Sequence, residues 1–429
     1  MQIQKVCART WHRAAAAALL VALLLAATAL GAAQERRVLE VWDWWGNTEH
    51  LALFEYVKEK FEARHPGVEV RFSTFPGGTV QYGERLLTAI AAGTGPDVTQ
   101  ASVAFARDFY EAGLFLPLNE YVEKTPELQP HQFFPTTQIY NQKDGVIFGI
   151  PLVFDTNVLF KNIDFFEEAG LDYSPHAIDT WDTFVEYAVK LTRWDANGTV
   201  TRSGYHATMT APEWIVWIYS NGGRIFNDDF TDFDFATEQG IATVEFLLDL
   251  RARDQIAPAG TGDVLSSGRS AMVVTGAHLP LDALKANPNL RLVETTVPVG
   301  PMGSARSASG WGNMMVITAN AKDPDLAWEY IKYYTSLEGQ EDIMRHLQRP
   351  GAPRFDFYQT ETWYQALAQN PWMSTLFEIY QAAQPTTNLL KPTAVNQIIN
   401  EYFNQMRDGR IDPRSGLQEA QRLASEALR

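Results

Sequence analysis

The sequence predicts an α/β fold in which parallel strands alternate with helices. A strand–helix–strand pattern opens the chain, and the same alternation of short apolar runs and amphipathic segments recurs further along. The chain has 429 residues, 46% of them hydrophobic, which is enough for two or three globular units with sizeable cores. With 20% charged and 12% aromatic residues, the composition excludes a disordered polyampholyte.

The first strand–helix–strand unit lies between residues 38 and 72. Residues 38–42 are an apolar run typical of a buried strand, and the loop that follows contains Asp43, Trp44, Trp45 and Asn47. Residues 51–64 predict a helix that Pro66-Gly67 ends, because four apolar side chains recur at helical spacing: Leu51, Phe54, Val57 and Phe61. Residues 68–72 alternate as a second strand, so the two strands are expected to pair in parallel.

The same apolar patterns predict the later elements, and helices become more frequent toward the C-terminus. Strands are predicted at 97–99 and 157–160. Thr180 is the predicted N-cap of a helix that runs to residue 191, since its hydroxyl can accept from the first turn. The remaining helices are predicted at residues 86–92, 164–169, 237–251, 324–335, 371–382 and 395–406.

Residues 1–33 have the features of a cleavable secretory signal. Lys5, Arg9 and Arg13 precede an apolar run at 14–27, and small residues allow cleavage after Gly31 or after Ala33. The alternative is a membrane-tethered N-terminus. The single cysteine, at position 7, precedes the apolar run and therefore cannot be a lipoprotein's acylated cysteine. Cleavage would remove three positive charges, change the net charge from −16 to −19, and leave a soluble, cysteine-free protein in the periplasm.

The sequence lacks the motifs of most other functional classes. The negative charge argues against a nucleic-acid binder, and the sequence contains no GxxxxGK[ST], HExxH or GxSxG. Gly93-Thr94-Gly95 follows a helix and precedes a strand, so it is a helix stop and not a phosphate loop. The histidines are scattered and the acidic residues at 228–234 are typical of a solvated turn, so neither a metal nor a cofactor is predicted. The two carboxylates of a glycosidase remain possible, because their spacing depends on the fold.

The tryptophans are the most informative residues, because an indole can pack flat on the C–H face of a sugar while polar side chains bond its hydroxyls. Trp44 and Trp45 follow the carboxyl end of a strand, where open α/β sheets bind ligands, but adjacent indoles diverge and only one is expected at a ligand. Trp311 lies between two glycines that let a ligand approach. For Trp214 both a ligand role and a core role are open, and Trp181 and Trp328 are predicted in the core.

Several motifs, in this order and behind a signal segment, resemble the extracellular solute-binding proteins of carbohydrate ABC importers, the group that contains maltose-binding protein. The resemblance covers essentially the whole chain after the signal. It is carried by residues 92–98, 110–118, 149–151, 158–162, 166–171, 180–181, 267–272, 275–278, 310–312 and 327–332.

The resemblance implies the periplasmic-binding-protein fold, with two discontinuous α/β lobes joined by a hinge and a ligand cleft between them. The lobes would be residues 34–152 with 310–346, and 153–309 with 347–429, with crossings near 152–155, 308–312 and 347. The partners it implies are a small carbohydrate ligand and the transmembrane permease subunits of an ABC importer with their ATPase. The protein itself is expected to be a monomer.

The resemblance also implies the ligand-binding residues. One departure is His278, which stands where many relatives place a tryptophan. For Asp155 and Arg354 a surface or hinge ion pair is the alternative to ligand contact. The predicted set is Asp43, Trp44, Trp45, Gln100, Ser102, Phe154, Asp155, Trp214, His278, Gly310, Trp311 and Arg354.

The predicted function is therefore capture of a sugar, oligosaccharide or polyol without any chemistry. Glycerol phosphodiesters, polyamines or peptides are the alternative ligands, and a secreted glycosidase is the alternative activity. A phosphate ligand would require Arg or Lys side chains converging at the cleft, whereas the loops named here are aromatic and acidic.

Overall fold

The computed structural model describes residues 36–252, 267–349 and 351–428, and the predicted signal segment lies outside them. The strands in these ranges are β1 Arg37–Asp43, β2 Val68–Thr74, β3 Val98–Ser102, β4 Gln142–Lys143, β5 Val146–Ile147, β6 Ile150–Asn162, β7 Arg193–Trp194, β8 Val200–Arg202, β9 Met272–Gly276, β10 Leu292–Thr295, β11 Ala308–Ile317 and β12 Ala383–Pro385.

The α-helices alternate with these strands through most of the chain and dominate its C-terminal part. They are α1 Thr48–Arg64, α2 Thr79–Ala91, α3 Ala106–Glu111, α4 Asn119–Glu123, α5 Pro135–Asn141, α6 Ile163–Glu168, α7 Trp181–Leu191, α8 Ala211–Ser220, α9 Glu238–Ala252, α10 Leu279–Ala286, α11 Pro324–Thr335, α12 Leu337–Leu347, α13 Glu361–Gln369, α14 Leu376–Ala382, α15 Pro392–Arg407 and α16 Pro413–Ala427. Within the described ranges, none of the helices combines the length and the apolar character needed to cross a membrane.

The N-terminal strand–helix–strand unit forms as predicted. β1 lies between β2 and β3 and pairs with both in parallel, so that Val41 faces Phe72 on one side and Val98 on the other. Helix α1 buries Phe54 on this sheet, with its ring stacked on that of Phe72 at 5.0 Å. Leu51 lies in the first turn of this helix and is 47% exposed, because the buried stripe starts at residue 53.

The sheet as a whole is mixed, and its central strands are antiparallel. Its order is β10–β6–β11–β3–β1–β2, with β9 also on β6 and β12 also on β11. β6 pairs with β11 along its first half and with β9 and β10 along its second half. The strand predicted at 157–160 is thus only part of a 13-residue strand, which is buried along nearly its whole length. Parallel pairing holds for β1, β2 and β3 and does not extend to the centre of the sheet.

Two strands connect the two ends of this sheet at the positions where crossings are predicted. Residues 152–155 lie in the half of β6 that pairs with β11, and residues 308–312 form the start of β11. The predicted third crossing follows α12, which ends at Leu347. There the carbonyl of Gly351 accepts a hydrogen bond from the backbone N–H of Phe154 at 2.7 Å. Three chain segments therefore run side by side at the centre of the molecule.

Most predicted helices form, with one correction. Thr180 caps α7 by accepting from the backbone N–H of Thr183, and α11 has the predicted bounds. The continuous helix predicted at 371–382 is wrong, since Pro371–Thr375 forms a 3-10 turn and α14 starts at Leu376. The hydroxyl of Thr375 donates to the carbonyl of Glu294 in β10 at 2.9 Å, and this bond ties the junction to the sheet.

Candidate functional site

Trp44 and Trp45 directly follow β1, and their rings diverge as predicted. The ring centroids are 6.5 Å apart and the ring planes differ by 73°. Trp44 packs on Tyr82, with the ring centroids 5.1 Å apart. Trp45 lies against His50, with 4.6 Å between centroids, and the guanidinium of Arg349 lies 5.6 Å from the centre of its ring. Of the two indoles, Trp45 is the one beside a histidine and an arginine.

Asp43 ends β1 and is buried, with 2% of the residue exposed. Its Oδ1 accepts from the backbone N–H of Trp45 at 2.8 Å. When the amide nitrogen of Gln100 faces Asp43, it donates to Oδ1 at 3.1 Å, and the amide oxygen accepts from Asn313 Nδ2 at 2.9 Å. Burial raises the pKa of Asp43 to about 8, although the N–H groups of Trp45 and Trp44 lower it. Asp43 is therefore largely protonated. Its hydrogen bonds link the loop after β1 to Gln100 in β3.

Gln100 and Ser102 lie inside a strand, although the strand predicted from the sequence ends at residue 99. β3 runs from Val98 to Ser102, so both residues are strand positions and both are buried. The Ser102 hydroxyl accepts from the backbone N–H of Ala104 at 3.3 Å. Gln100 is joined to the site through Asp43 and Asn313, and a direct ligand role for either residue stays a prediction.

Asp155 and Trp311 face each other across the two crossing strands. They are direct partners in the antiparallel β6–β11 ladder, so their side chains lie on the same face of the sheet. Phe154 and Gly310 belong to the opposite face. A Cβ added at Gly310 would lie 2.3 Å from Phe154 Cζ, and the Phe154 ring packs on that of Tyr380 with 5.5 Å between centroids. Glycine at position 310 therefore makes room for a core phenylalanine.

Asp155 is the point at which separate parts of the chain meet. Its Oδ2 lies 2.5 Å from His278 Nδ1 and 3.4 Å from Arg349 Nη2, and its Oδ1 accepts from the backbone N–H of Thr156 at 2.8 Å. Burial alone raises the pKa of Asp155, but the hydrogen bond and charge of His278, with the charge of Arg349, bring it below the ordinary value. The His278 ring stands edge-on to Trp311, with 6.0 Å between centroids.

A cavity of about 100 Å³ lies beside this group, between the N-terminal ends of α1 and α10. We call it the α1–α10 cavity. The charged and titratable residues that line it are Glu49, His50, His278, Asp282, Lys285 and Arg349. The Lys285 ammonium lies 3.6 Å from the Glu49 carboxylate and thereby connects the two helices.

Sequence reasoning missed His50, Lys285 and Arg349. Arg349 follows the predicted third crossing by two residues, and that position was the available signal. The sequence prediction chose Arg354 instead. His50 precedes the helix predicted at 51–64 and Lys285 lies in no predicted helix, so nothing local indicates that the two residues meet.

Arg354 and Trp214 have different surroundings from the Asp155 group. The Arg354 guanidinium is buried and donates to both carboxylate oxygens of Asp356, at 3.0 and 2.8 Å, and to the carbonyl of Glu127 at 3.0 Å. Asp155 and Arg354 each form an ion pair, but with different partners. Trp214 is fully buried in α8, edge-on to Phe403 at 5.4 Å. Ligand roles for Trp214 and Arg354 stay predictions, and these contacts favour the core and ion-pair alternatives.

A wider groove of about 510 Å³ lies at another place, between α7 and α9. Its floor is the pair Trp181 and Phe246, whose rings stack at 4.0 Å. The groove has none of the predicted site residues in its lining, and Trp181 is buried as predicted. Size alone therefore does not identify the ligand site of this protein.

The sequence model of a family described as bacterial extracellular solute-binding protein matches residues 45–341. An arabinooligosaccharide-binding protein of Halalkalibacterium halodurans is 23% identical over 403 residues, which cover 87% of this chain and 86% of that protein. A putative binding protein of Brucella abortus is 25% identical over 289 residues, or 65% of this chain and 67% of the relative.

Solved structures of the same kind share the fold. An ABC transporter solute-binding protein from Thermotoga lettingae, bound with α-D-tagatose, superposes with a TM-score of 0.73 at 21% identity over 92% of this chain and 100% of that chain. The sugar-binding protein MalE from Xanthomonas citri gives a TM-score of 0.77 at 19% identity over 91% and 97% of the two chains. The fold is the two-lobed fold of periplasmic solute-binding proteins. Because the family model matches more than half of the sequence, this chain belongs to the bacterial extracellular solute-binding protein family.

Proposed function

We propose that this protein is the substrate-binding component of an ABC importer and that it captures a sugar, an oligosaccharide or a polyol. The observation that carries the proposal is the pairing of Trp311 with Asp155 across the crossing strands. It sets an aromatic face beside the polar group of Asp155, His278 and Arg349, and a pyranose ring needs an aromatic surface for its C–H face and polar side chains for its hydroxyl edge. Arabino-oligosaccharides and tagatose, the ligands named for two of the relatives, belong to the same class and support the assignment.

The proposed mechanism is capture by hinge closure followed by delivery. The lobes are residues 34–152 with 310–346 and residues 153–309 with 347–429, and they move about the three crossing segments. A sugar ring enters the cleft while the lobes are apart, and closure of the lobes then surrounds it. The closed monomer then docks on permease subunits, whose ATPase supplies the energy.

We further propose that the working protein is periplasmic and starts after cleavage of residues 1–33. Membership of an extracellular family supports this location, as do the basic head and apolar run of that segment. N-terminal sequencing of the protein recovered from the periplasm tests it. A chain that still starts at Met1 and sediments with membranes would contradict the proposal.

Intrinsic tryptophan fluorescence tests ligand capture directly. The secreted protein is titrated with a panel of monosaccharides, oligosaccharides and polyols, and we expect saturable binding with Kd near 1 μM, or about −8 kcal/mol. Trp311→Phe should weaken binding about tenfold because it reduces the stacking surface. Trp194→Phe is the matched control, since Trp194 is 45% exposed on β7, and it should leave the titration unchanged. No response to any member of the panel would refute the sugar assignment.

A protein that captures its ligand without chemistry should also leave that ligand unchanged. A bound oligosaccharide should be recovered intact after prolonged incubation, as measured by chromatography of the released ligand. Formation of shorter products that stops in Asp155→Asn would instead establish a glycosidase.

A further inference from the structure

The α1–α10 cavity presents hydrogen-bond donors that the protein leaves unused. Resting on the proposed function, we propose that the ligand is an acidic sugar whose carboxylate or phosphate group enters this cavity and is held by Arg349, His50 and His278.

Arg349 and His50 have nitrogen atoms without hydrogen-bond partners among the described residues. Arg349 Nε is buried and has no hydrogen-bond partner among the described residues, and neither does either ring nitrogen of His50. Burial, with the charge of Arg349, lowers the pKa of His50 to about 4, so its ring is neutral and carries one N–H to donate. The planar guanidinium of arginine matches the two oxygens of a carboxylate or phosphate. An acceptor group from the ligand would satisfy these donors.

Asp155, the acceptor that His278 and Arg349 contact beside the cavity, is already occupied. Asp155 Oδ1 is bonded to the N–H of Thr156, and Oδ2 lies between His278 and Arg349. The carboxylate of Asp155 therefore orients the two cationic groups and has little capacity left for the hydroxyl groups of a ligand. The interior surface is donor-rich, and this favours a ligand group that only accepts.

The charges around the cavity divide into an exposed mouth and a buried interior. At the mouth Lys285 lies 3.6 Å from Glu49 and 3.8 Å from Asp282, whose side chains are 50% and 72% exposed. Solvent and salt screen this group strongly. In the interior the side chain of Arg349 is 19% exposed, and that of His278 is 29% exposed.

The interior charge balance suits an anion. The charges of Arg349 and Asp155 cancel, so the interior is neutral when His278 is neutral and positive when His278 is protonated. Glu294, which interacts electrostatically with Asp155, adds no charge, because burial raises its pKa well above the ordinary range. The sum over mouth and interior is −1 with His278 neutral, but the exposed mouth carries the negative excess.

The N-terminal ends of two helices also contribute positive electrostatic potential to the cavity. α1 has 17 residues and α10 has 8, and both begin at the cavity. No side chain caps the first turn of α10. The partial positive charge of a helix N-terminus stabilises an anion nearby. The cavity, at about 100 Å³, has room for a carboxylate or a phosphate group.

Matched neutral and acidic sugars test the proposal on the secreted protein. D-galactose is compared with D-galacturonate and D-galactose 6-phosphate, and D-glucose with its uronate and 6-phosphate, by calorimetry at low and high salt. At least one acidic form should bind about tenfold or more tightly than its neutral partner, a difference of about 1.4 kcal/mol, and should weaken with salt. The tighter of the two acidic forms identifies the group as carboxylate or phosphate.

Arg349→Gln should bring the ratio between acidic and neutral partners close to one. Arg422→Gln, which removes the same charge from an exposed ion pair on α16, should leave the ratio unchanged. If Arg349→Gln does not fold, His278→Asn provides the second measurement. It removes one of the three proposed ligand contacts and should lower the ratio between acidic and neutral partners, and an unchanged ratio would contradict the role of His278.

Failure of every acidic sugar to bind more tightly than its neutral partner, including failure to bind at all, overturns the proposal. Binding of neutral sugars in the same experiment would leave the proposed function standing. Binding of glycerol 3-phosphate without binding of any saccharide would have the opposite meaning, because the anion site would stand and the sugar assignment would fail.

Discussion

Asp43 and Asp155 are equally buried, each with 2% of its surface exposed, yet their surroundings shift their pKa values in opposite directions. Asp155 meets His278 and Arg349, and their charges lower its pKa despite burial. Asp43 meets only neutral donors, so burial dominates and raises its pKa to about 8. Hydrogen bonds from neutral groups offset only part of the cost of removing a charge from water. The cation partners therefore decide which of the two acids is charged.

The raised pKa of Asp43 predicts a pH dependence of stability. The folded protein holds a proton on Asp43 up to about pH 8, whereas the unfolded chain loses it near pH 4. The folded state thus binds more protons in this window, and Asp43 makes the free energy of unfolding fall as pH rises, by up to about 1.4 kcal/mol per pH unit. Asp43→Asn should flatten that slope in urea titrations at several pH values.

Asp229→Asn is the matched control, because it makes the same substitution at an exposed position in the acidic turn. This variant should keep the slope of the parent protein. An unchanged slope in Asp43→Asn would show that Asp43 is ionised in the folded protein at neutral pH.

At the scale of the element, the crossing strands β6 and β11 depend on close backbone approach. A Cβ added at Gly312 would lie 2.2 Å from the carbonyl oxygen of Val153 in β6. The obstacle is backbone and not the end of a flexible side chain, so the strands would have to separate. The sequence shows Gly310-Trp311-Gly312, and we interpreted the glycines as access for a ligand. The structure gives them a packing role between the strands.

Gly312→Ala should therefore destabilise the protein by about 1–3 kcal/mol, the usual cost of overpacking. Gly83→Ala is the matched control, because Gly83 lies inside α2 and the added Cβ would meet only the ring of Phe105, at 3.2 Å. It should stay within about 1 kcal/mol of the parent, since alanine favours the helix. Equal unfolding free energies for the two variants, measured by urea denaturation, would contradict this account of the crossing.

At the scale of the whole molecule, the sheet order makes the two lobes depend on a strand that arrives late in the chain. β11 lies between β6 and β3, so the two ends of the sheet are joined only after residue 317. Helices α11 and α12, which follow β11, also supply part of the main core through Trp328 and Ile343. A chain that ends before β11 leaves β3 and β6 with unpaired edges.

A fragment of residues 36–307 should therefore show no cooperative thermal transition by circular dichroism. Co-expression with residues 308–428 should restore a complex that melts cooperatively, which controls for damage at the cut itself. A cooperative transition in the fragment alone would mean that β11 is dispensable for the fold.

Elements that depend on local physics can be predicted from the sequence alone. Periodicity of apolar residues predicts α1 and α11, the cap at Thr180 predicts the start of α7, and alternation predicts the parallel unit of β1 and β2. Motif order further predicts the family. These signals are readable because each lies within a few residues of the feature it specifies.

The surroundings of Asp155 depend on the tertiary structure and have no signal in the local sequence. His50, His278, Lys285 and Arg349 are up to 299 positions apart in the sequence, and they meet because β6 and β11 are antiparallel neighbours and because α1 and α10 begin at one cavity. Burial and the distance between charges set the electrostatics of such a group, and neither has a period or a local motif. The sequence could therefore identify a binding protein, whereas the fold shows which side chains line the α1–α10 cavity.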